Sequence, residues 1–253
     1  MPRSFIIEDP DITKPKLVEF DVNNIPLSEY LEFWYKFNNN ILPSYNANNY
    51  SLSTSSTGFI TGKTHNYALD VKDYLNLYFV LSGGYYYTIS FWIYPKTASF
   101  TYILRDNTGV DFWYFDNFGS VDKLYFTTRS AWDGSSSRTS NYININTWSH
   151  VCITRKAGYI DPNVKIYFNS EESSWINPIS PIDLDQNAFK IFGNSGISLN
   201  GYINDFMLHY NVLSQEQIKT LMSLRDVSFY PQQRPNILTY PIRNSGIPYV
   251  LST

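Results

Sequence analysis

The stretch Tyr87-Thr88-Ile89-Ser90-Phe91-Trp92-Ile93-Tyr94 decides how the chain is read. Tyr87, Ile89, Phe91 and Ile93 fall on one face of an extended segment, and Thr88, Ser90, Trp92 and Tyr94 on the other. That period of two is what a strand needs to bury a face. Pro95 stops it, because proline has no N–H to give to a ladder. The same texture returns at 112–115, 123–128, 150–155, 164–169, 188–192 and 202–210. Turn makers separate these runs: Asn107-Thr108-Gly109, Asn117-Phe118-Gly119, Asp133-Gly134, Asp161-Pro162 and Asn194-Ser195-Gly196. Many short strands without intervening helices predict an all-β fold, an antiparallel two-sheet sandwich of the jelly-roll kind.

One helix is expected after the last strand. Ser214 with Gln217 three residues later forms a capping box, and Ile218, Leu221 and Met222 make the buried stripe. A second short helix is expected at 28–37, capped by Ser28, with Tyr30, Phe33, Trp34 and Phe37 on one stripe. Its stripe packs on the domain's own core or, in the sharper alternative, docks a partner. Prolines at 2, 10, 15, 26 and 43 break the rest of that region. Past Val227, Pro231, Pro235, Pro241 and Pro248 alternate with Phe229, Tyr230, Tyr240 and Tyr249, which predicts an extended arm whose rings lie against a partner. The expected organisation is an N-terminal extension over 1–48, a sandwich over 49–225 and a proline-rich arm over 226–253.

The chain has 253 residues, 43% hydrophobic, 18% aromatic and only 16% charged, with a formal net charge of −3. Disorder is excluded by the aromatic content, and general nucleic-acid binding by the absence of any Lys/Arg cluster. The single cysteine, Cys152, cannot close an intrachain disulfide, so packing must supply the stability. No stretch reaches the roughly 20 apolar residues of a membrane span, and the first residues lack the apolar run of a signal peptide. The expectation is therefore synthesis in a cytoplasm without a signal peptide and no membrane insertion.

Four blocks carry a family resemblance. Tyr87-Thr-Ile-Ser-Phe-Trp-Ile-Tyr-Pro95, Asn146-Thr-Trp-Ser-His-Val-Cys-Ile-Thr-Arg155, Val164-Lys-Ile-Tyr-Phe-Asn-Ser170 and the run from Leu199 through Gly201, Asp205 and Tyr210 to Ile218 resemble, in order and spacing, the laminin-G-like, concanavalin-A-like jelly-roll superfamily. Ser170 stands where that family usually has glycine. The resemblance covers roughly 50–224. It implies two curved antiparallel sheets in a module that is usually carbohydrate-binding, adhesive or structural, and in a minority glycosidic. Some members hold calcium at the rim. Trp92 and Trp148 match scaffold positions, His150 matches a frequent histidine, and Asp205 matches an acidic position.

The chemistry-bearing residues point away from catalysis. Hydrolysis of a glycosidic bond needs two carboxylates at a set separation. Adjacent Glu171 and Glu172 would point to opposite faces of a strand, and Asp183 and Asp185 sit in a proline-flanked loop. His65, His150 and His209 are too scattered for a metal triad, and Cys152 reads as structural. No cofactor is expected, calcium being the one candidate, with Asp70 and Asp205 as its ligands on strands that run close together in such a sandwich. For a glycan, the expected contacts are Trp132, Asp133 and Arg138, with Trp113 and Trp175, a ring to stack on the sugar and polar groups for its hydroxyls.

The resulting expectation is a non-catalytic structural or adhesion subunit of a larger assembly, a phage or virus particle above all. It would be a decoration, fibre, or tail or capsid surface protein, anchored by its terminal arms to other protein subunits and able to bind a cell-surface glycan. A free lectin-like protein is the alternative, and a glycosidase or lyase the third.

Overall fold

In the computed structural model, the strand Tyr87–Pro95 lies inside an eight-stranded antiparallel sheet. The structure describes residues 5–7, 16–18, 30–37, 39–41, 52–54, 57–64, 67–71, 75–77, 86–106, 112–129, 136–156, 164–176, 189–194 and 197–223. The sheet runs Glu171–Ser173, Val164–Phe168, Ser149–Arg155, Tyr87–Pro95, Gly201–His209, Tyr67–Val71, Thr57–Thr61, with Leu31–Tyr35 also paired to Gly201–His209. A nine-stranded sheet opposes it, in the order Trp175–Ile176, Ser136–Thr139, Lys123–Arg129, Phe112–Asp116, Thr101–Asp106, Phe189–Ile191, Leu75–Leu77, Leu52–Thr54, with Ile143–Asn144 beside Lys123–Arg129. Two short ladders, Phe5–Ile7 with Lys16–Val18 and Gly193–Asn194 with Ile197–Ser198, stand outside both.

The alternation read at 87–94 holds. Ile89, Phe91 and Ile93 enter the core with Val151, Ile153 and Ile203, against Trp113, Phe115, Leu124 and Phe126 of the other sheet. Each such side chain contributes roughly 1.5–3 kcal/mol by leaving water. Edge-to-face rings tie the core together: Phe91 on Phe192 at 5.1 Å between centroids and, across neighbouring strands of the nine-stranded sheet, Phe115 on Phe126 at 6.0 Å. Gly201 pairs with Pro95 across the ladder, and a Cβ there would stand 3.0 Å from Pro95 Cα and collide with the Tyr94 carbonyl oxygen. Glycine is required at this point because two backbones meet there.

The chain order 28–37 departs from expectation. No helix forms; Leu31–Tyr35 is a strand, in register with 206–209. Phe33 and Tyr35 alternate with Trp34 and Lys36 as a strand requires, and a register shift between Leu208 and His209 brings Leu31 to the side of Trp34. Helical spacing was readable in the same residues because both faces are buried, Phe33, Tyr35 and Phe37 in the main core and Leu31 and Trp34 in a second cluster. A residue set that is apolar on two faces satisfies both periods, and the free edge of a neighbouring strand decides. That edge exists because Gly201–His209 changes partner along its length. Its first residues pair with Tyr67–Val71, a bulge falls between Asn204 and Met207, and its last residues pair with Leu31–Tyr35. The sandwich therefore includes a strand from well before residue 49.

Helix Gln215–Met222 forms as read, with Ser214 accepting from Gln217 N–H at 3.3 Å and Gln217 accepting from Ser214 N–H at 2.9 Å. Ile218 and Leu221 pack with Leu213, Cys152, Met207, Trp34 and Tyr167. This places the helix over the outer face of the eight-stranded sheet. At the hairpin joining Val164–Phe168 to Glu171–Ser173, Asn169 and Ser170 have φ of 51° and 68°. Two successive left-handed residues make the tight turn that favours glycine, which accounts for the family's glycine where this chain has Ser170. No described helix is long and apolar enough to cross a membrane.

Candidate functional site

Two groups of polar and aromatic side chains lie on the outer faces of the sheets, and they differ in what is left open. The first surrounds the bulge in the eight-stranded sheet. Asp205, with φ of 51°, accepts from Trp34 Nε1 at 2.8 Å and from the Thr64 hydroxyl. Asn204 Oδ1 accepts from the Lys63 and Thr64 N–H groups, each at 3.1 Å, and its Nδ2 donates to the Lys36 and Tyr67 carbonyls at 2.8 and 3.1 Å. These two side chains tie the loop at 63–64 and the strand Leu31–Tyr35 to the bulge. His150 lies under them against Trp92, 5.3 Å between rings. Burial pulls its imidazole down to about 4, opposed by the nearby Asp205 carboxylate. Lys36 covers Trp34 and Lys63 covers Trp92, at 4.2 and 5.3 Å, and both indoles are nearly buried.

The expected calcium pair does not converge. Asp70 sits opposite Tyr202 in the ladder, with Lys96 Nζ 3.4 Å from its carboxylate, while Asp205 is committed to Trp34 and Thr64. Among the described residues no cluster of three His, Cys, Asp or Glu side chains could hold a metal ion. Cys152 is buried and its thiol is pushed up by burial, away from nucleophilic use. Glu172 is held by Lys165 at 2.9 Å.

Of the expected glycan contacts, Trp113 is corrected. It is fully buried in the strand Phe112–Asp116, its ring 6.3 Å from Tyr87 and 5.9 Å from Phe126, so no sugar reaches it. Trp175 is half-buried against the core, donating from Nε1 to the Val164 carbonyl at 3.0 Å. Trp132 and Asp133 lie outside the described residues, as do Phe229, Tyr230, Tyr240 and Tyr249 of the arm and Asp183, Asp185 and His65.

Arg138 lies elsewhere, in the second group. Register places Tyr102, Tyr114, Thr127, Arg138 and Ile176 in one row across the outer face of the nine-stranded sheet, and Asp116 and Tyr125 in the next. The hairpin at 117–122 adds Phe118. Its turn is built by Asn117, which accepts from Gly119 N–H at 3.1 Å and donates to the Ala98 carbonyl at 2.7 Å. Phe118 has φ of 46°, a backbone state that costs a bulky residue about 1 kcal/mol, and the turn holds its ring 44% exposed. Phe118 meets Tyr125 at 5.9 Å, and Tyr125 meets Tyr142 at 5.6 Å. The Arg138 guanidinium lies over Phe118 and Tyr125, and Lys123 Nζ over Tyr142. Toward the other side, Phe100 meets Tyr102 edge-on at 4.9 Å and Tyr114 at a tilt at 4.8 Å.

Phe118, Tyr125, Tyr142 and Lys123 do not stand out in the sequence, where tryptophans near loops are the more conspicuous rings. The available signal was Asn117-Phe118-Gly119, a ring held between two turn makers. Chemically, a strip of half-open rings edged by N–H donors can take an apolar ring face and its polar substituents together. Of the described carboxylates beside it, Asp116 accepts from Phe118 N–H at 3.3 Å and Asp122 from the Ser120 hydroxyl at 2.9 Å.

Comparison with known proteins gives a match over residues 65–219 to the family described as the concanavalin A-like lectin/glucanases superfamily. No curated protein matches the chain. Among solved structures, domain 4 of AbnA, an extracellular GH43 arabinanase from Geobacillus stearothermophilus, solved with arabinotriose, aligns with a TM-score of 0.57 at 17% identity, over 76% of this chain and 98% of that one. The binding domain of Paraclostridial Mosquitocidal Protein 1 aligns at 0.55 and 18% identity, over 77% of this chain and 52% of its own. The botulinum neurotoxin type G receptor-binding domain aligns at 0.53 and 11%, over 76% and 51%. The chain thus spans about half the length of the two toxin domains, and at these identities the likeness is one of fold.

Proposed function

The chain belongs to the concanavalin A-like lectin/glucanases superfamily, and on that premise we propose that it is a non-catalytic binding module that holds a saccharide against the aromatic strip beside the 117–122 hairpin of its nine-stranded sheet. The observation that carries this reading is the strip Phe118–Tyr125–Tyr142, whose outer rings stay 44% and 40% exposed although the neighbouring cations already lie on them. Contiguous exposed rings on a folded domain mark a recognition surface. That the similar structures include an arabinanase domain solved with arabinotriose and toxin binding domains is in keeping with it. The test is an oligosaccharide array probed with the full chain and with Phe118→Ala. The expected result is binding that falls roughly tenfold in the variant, the loss typical of an exposed aromatic anchor. An array without binding overturns the reading.

The particle forms the second part of the proposal: the module is displayed on a virion or comparable assembly, attached through 226–253. Its support is the alternation of proline and aromatic residues in that arm. Deleting 227–253 should abolish co-sedimentation with the particle and leave sugar binding intact. Unchanged co-sedimentation would remove the arm from the argument.

A further inference from the structure

We propose that the aromatic strip selects acidic saccharides, sugars bearing a carboxylate or a sulfate, and that Arg138 and Lys123 are the groups that read the negative charge. This rests on the reading of the strip as a sugar site and narrows it. The Arg138 guanidinium carbon stands 4.7 Å from the Phe118 centroid and 5.3 Å from that of Tyr125, and Lys123 Nζ 4.4 Å from that of Tyr142. The rings between them are continuous, so two cations bracket one apolar surface.

What these cations lack distinguishes them. Among the described residues neither has a carboxylate within salt-bridge distance, whereas Lys96, Lys165 and Lys219 each have one, at 3.4, 2.9 and 2.9 Å. The carboxylates of the same hairpin, Asp116 and Asp122, hydrogen-bond to the Phe118 N–H and the Ser120 hydroxyl. Lys36 and Lys63 also lie on rings, but those are Trp34 and Trp92, 4% and 7% exposed, so there the lysine completes the cover of a buried indole. On the strip the rings remain open beneath their cations.

A cation lying over a ring uses its charge but not its donors. The guanidinium has N–H groups in a planar fork that fits a carboxylate or sulfate bidentately, and an ammonium adds a point charge. A neutral sugar would cover the rings and leave these donors to water. An acidic sugar meets rings and donors in one pose.

The experiment is calorimetric titration of the full chain with matched pairs that differ only in charge: oligogalacturonate and its methyl ester, sialyllactose and lactose, a sulfated chondroitin hexasaccharide and its desulfated form. In at least one pair the acidic member should bind roughly tenfold tighter, the ratio expected from one charge-assisted hydrogen bond. That preference should shrink in Arg138→Gln and in Lys123→Gln, and at high salt. Should Arg138→Gln fail to fold, Lys123→Gln and the salt dependence read the same quantity. Equal binding within every pair, or a preference that neither substitution changes, overturns acid selection and leaves the sugar site standing. Absence of binding to both members of all pairs and to a neutral array removes the site itself.

Discussion

The outer faces of the two sheets are built from the same residue types and end in opposite states. On the eight-stranded sheet, Trp34, Trp92, His150 and Cys152 disappear beneath the helix Gln215–Met222, the loop at 63–64 and two lysine stems. On the nine-stranded sheet, Phe118, Tyr125 and Tyr142 carry cations yet stay partly open. Aromatic content alone therefore says little about function. What separates scaffold from surface is whether other elements of the fold cover the rings.

Substitutions on the closed face should act on stability, and on the open face on binding. The largest effect is expected at Asp205→Ala. It leaves the buried Trp34 indole N–H without its acceptor and takes from the Thr64 hydroxyl one of its two, Asn204 Oδ1 remaining, a loss of about 3 kcal/mol in urea unfolding. Retained stability would mean that the closed face is not held by this bulge. Gly201→Ala should cost a comparable ~3 kcal/mol, because the added methyl meets backbone, which cannot rotate away.

Acid should also act on the closed face. An imidazole held at about 4 when folded and near its ordinary value of about 6.5 when unfolded binds its proton more readily in the unfolded chain. Its contribution is complete above pH ~6.5 and is lost as pH falls toward ~4, about 3 kcal/mol over that window at the upper limit. His150→Gln should flatten this part of the stability-against-pH curve; an unchanged curve would move the acid sensitivity to other groups.

Smaller effects sharpen the contrast. Phe118→Ala should leave the urea midpoint within about 0.5 kcal/mol of the parent, the usual range for a surface site, while weakening sugar binding. Ser170→Gly should stabilise by roughly 0.5–1 kcal/mol by relieving a left-handed serine. Glu172→Gln, which breaks an exposed pair with Lys165, should change stability by less than about 1 kcal/mol.

Much of the architecture was readable because its signals were local. The alternation at 87–94 and the Ser214–Gln217 box each needed only neighbours in sequence, and both stand as read. The segment at 28–37 was misread because its decisive partner, the strand Gly201–His209, lies more than 160 residues away, and no local period records a bulge that frees an edge. The binding face was harder still. Arg138 was identified, but the rings around it come from a hairpin tip, a strand and a loop that only sheet register brings together. Trp113 misled because an indole near a turn motif looks alike in sequence whether its strand faces water or the core.

The hydrogen bond from Trp34 to Asp205 spans 171 residues. On a ribosome adding roughly 5–20 residues per second, the strand Leu31–Tyr35 waits about 10–30 s before its partner has even been made. Throughout that time Leu31, Phe33, Trp34, Tyr35 and Phe37 form an apolar segment without a sheet edge to join. The eight-stranded sheet can take in this strand only once the bulge has been synthesised, so a chain truncated before it has no partner for that segment.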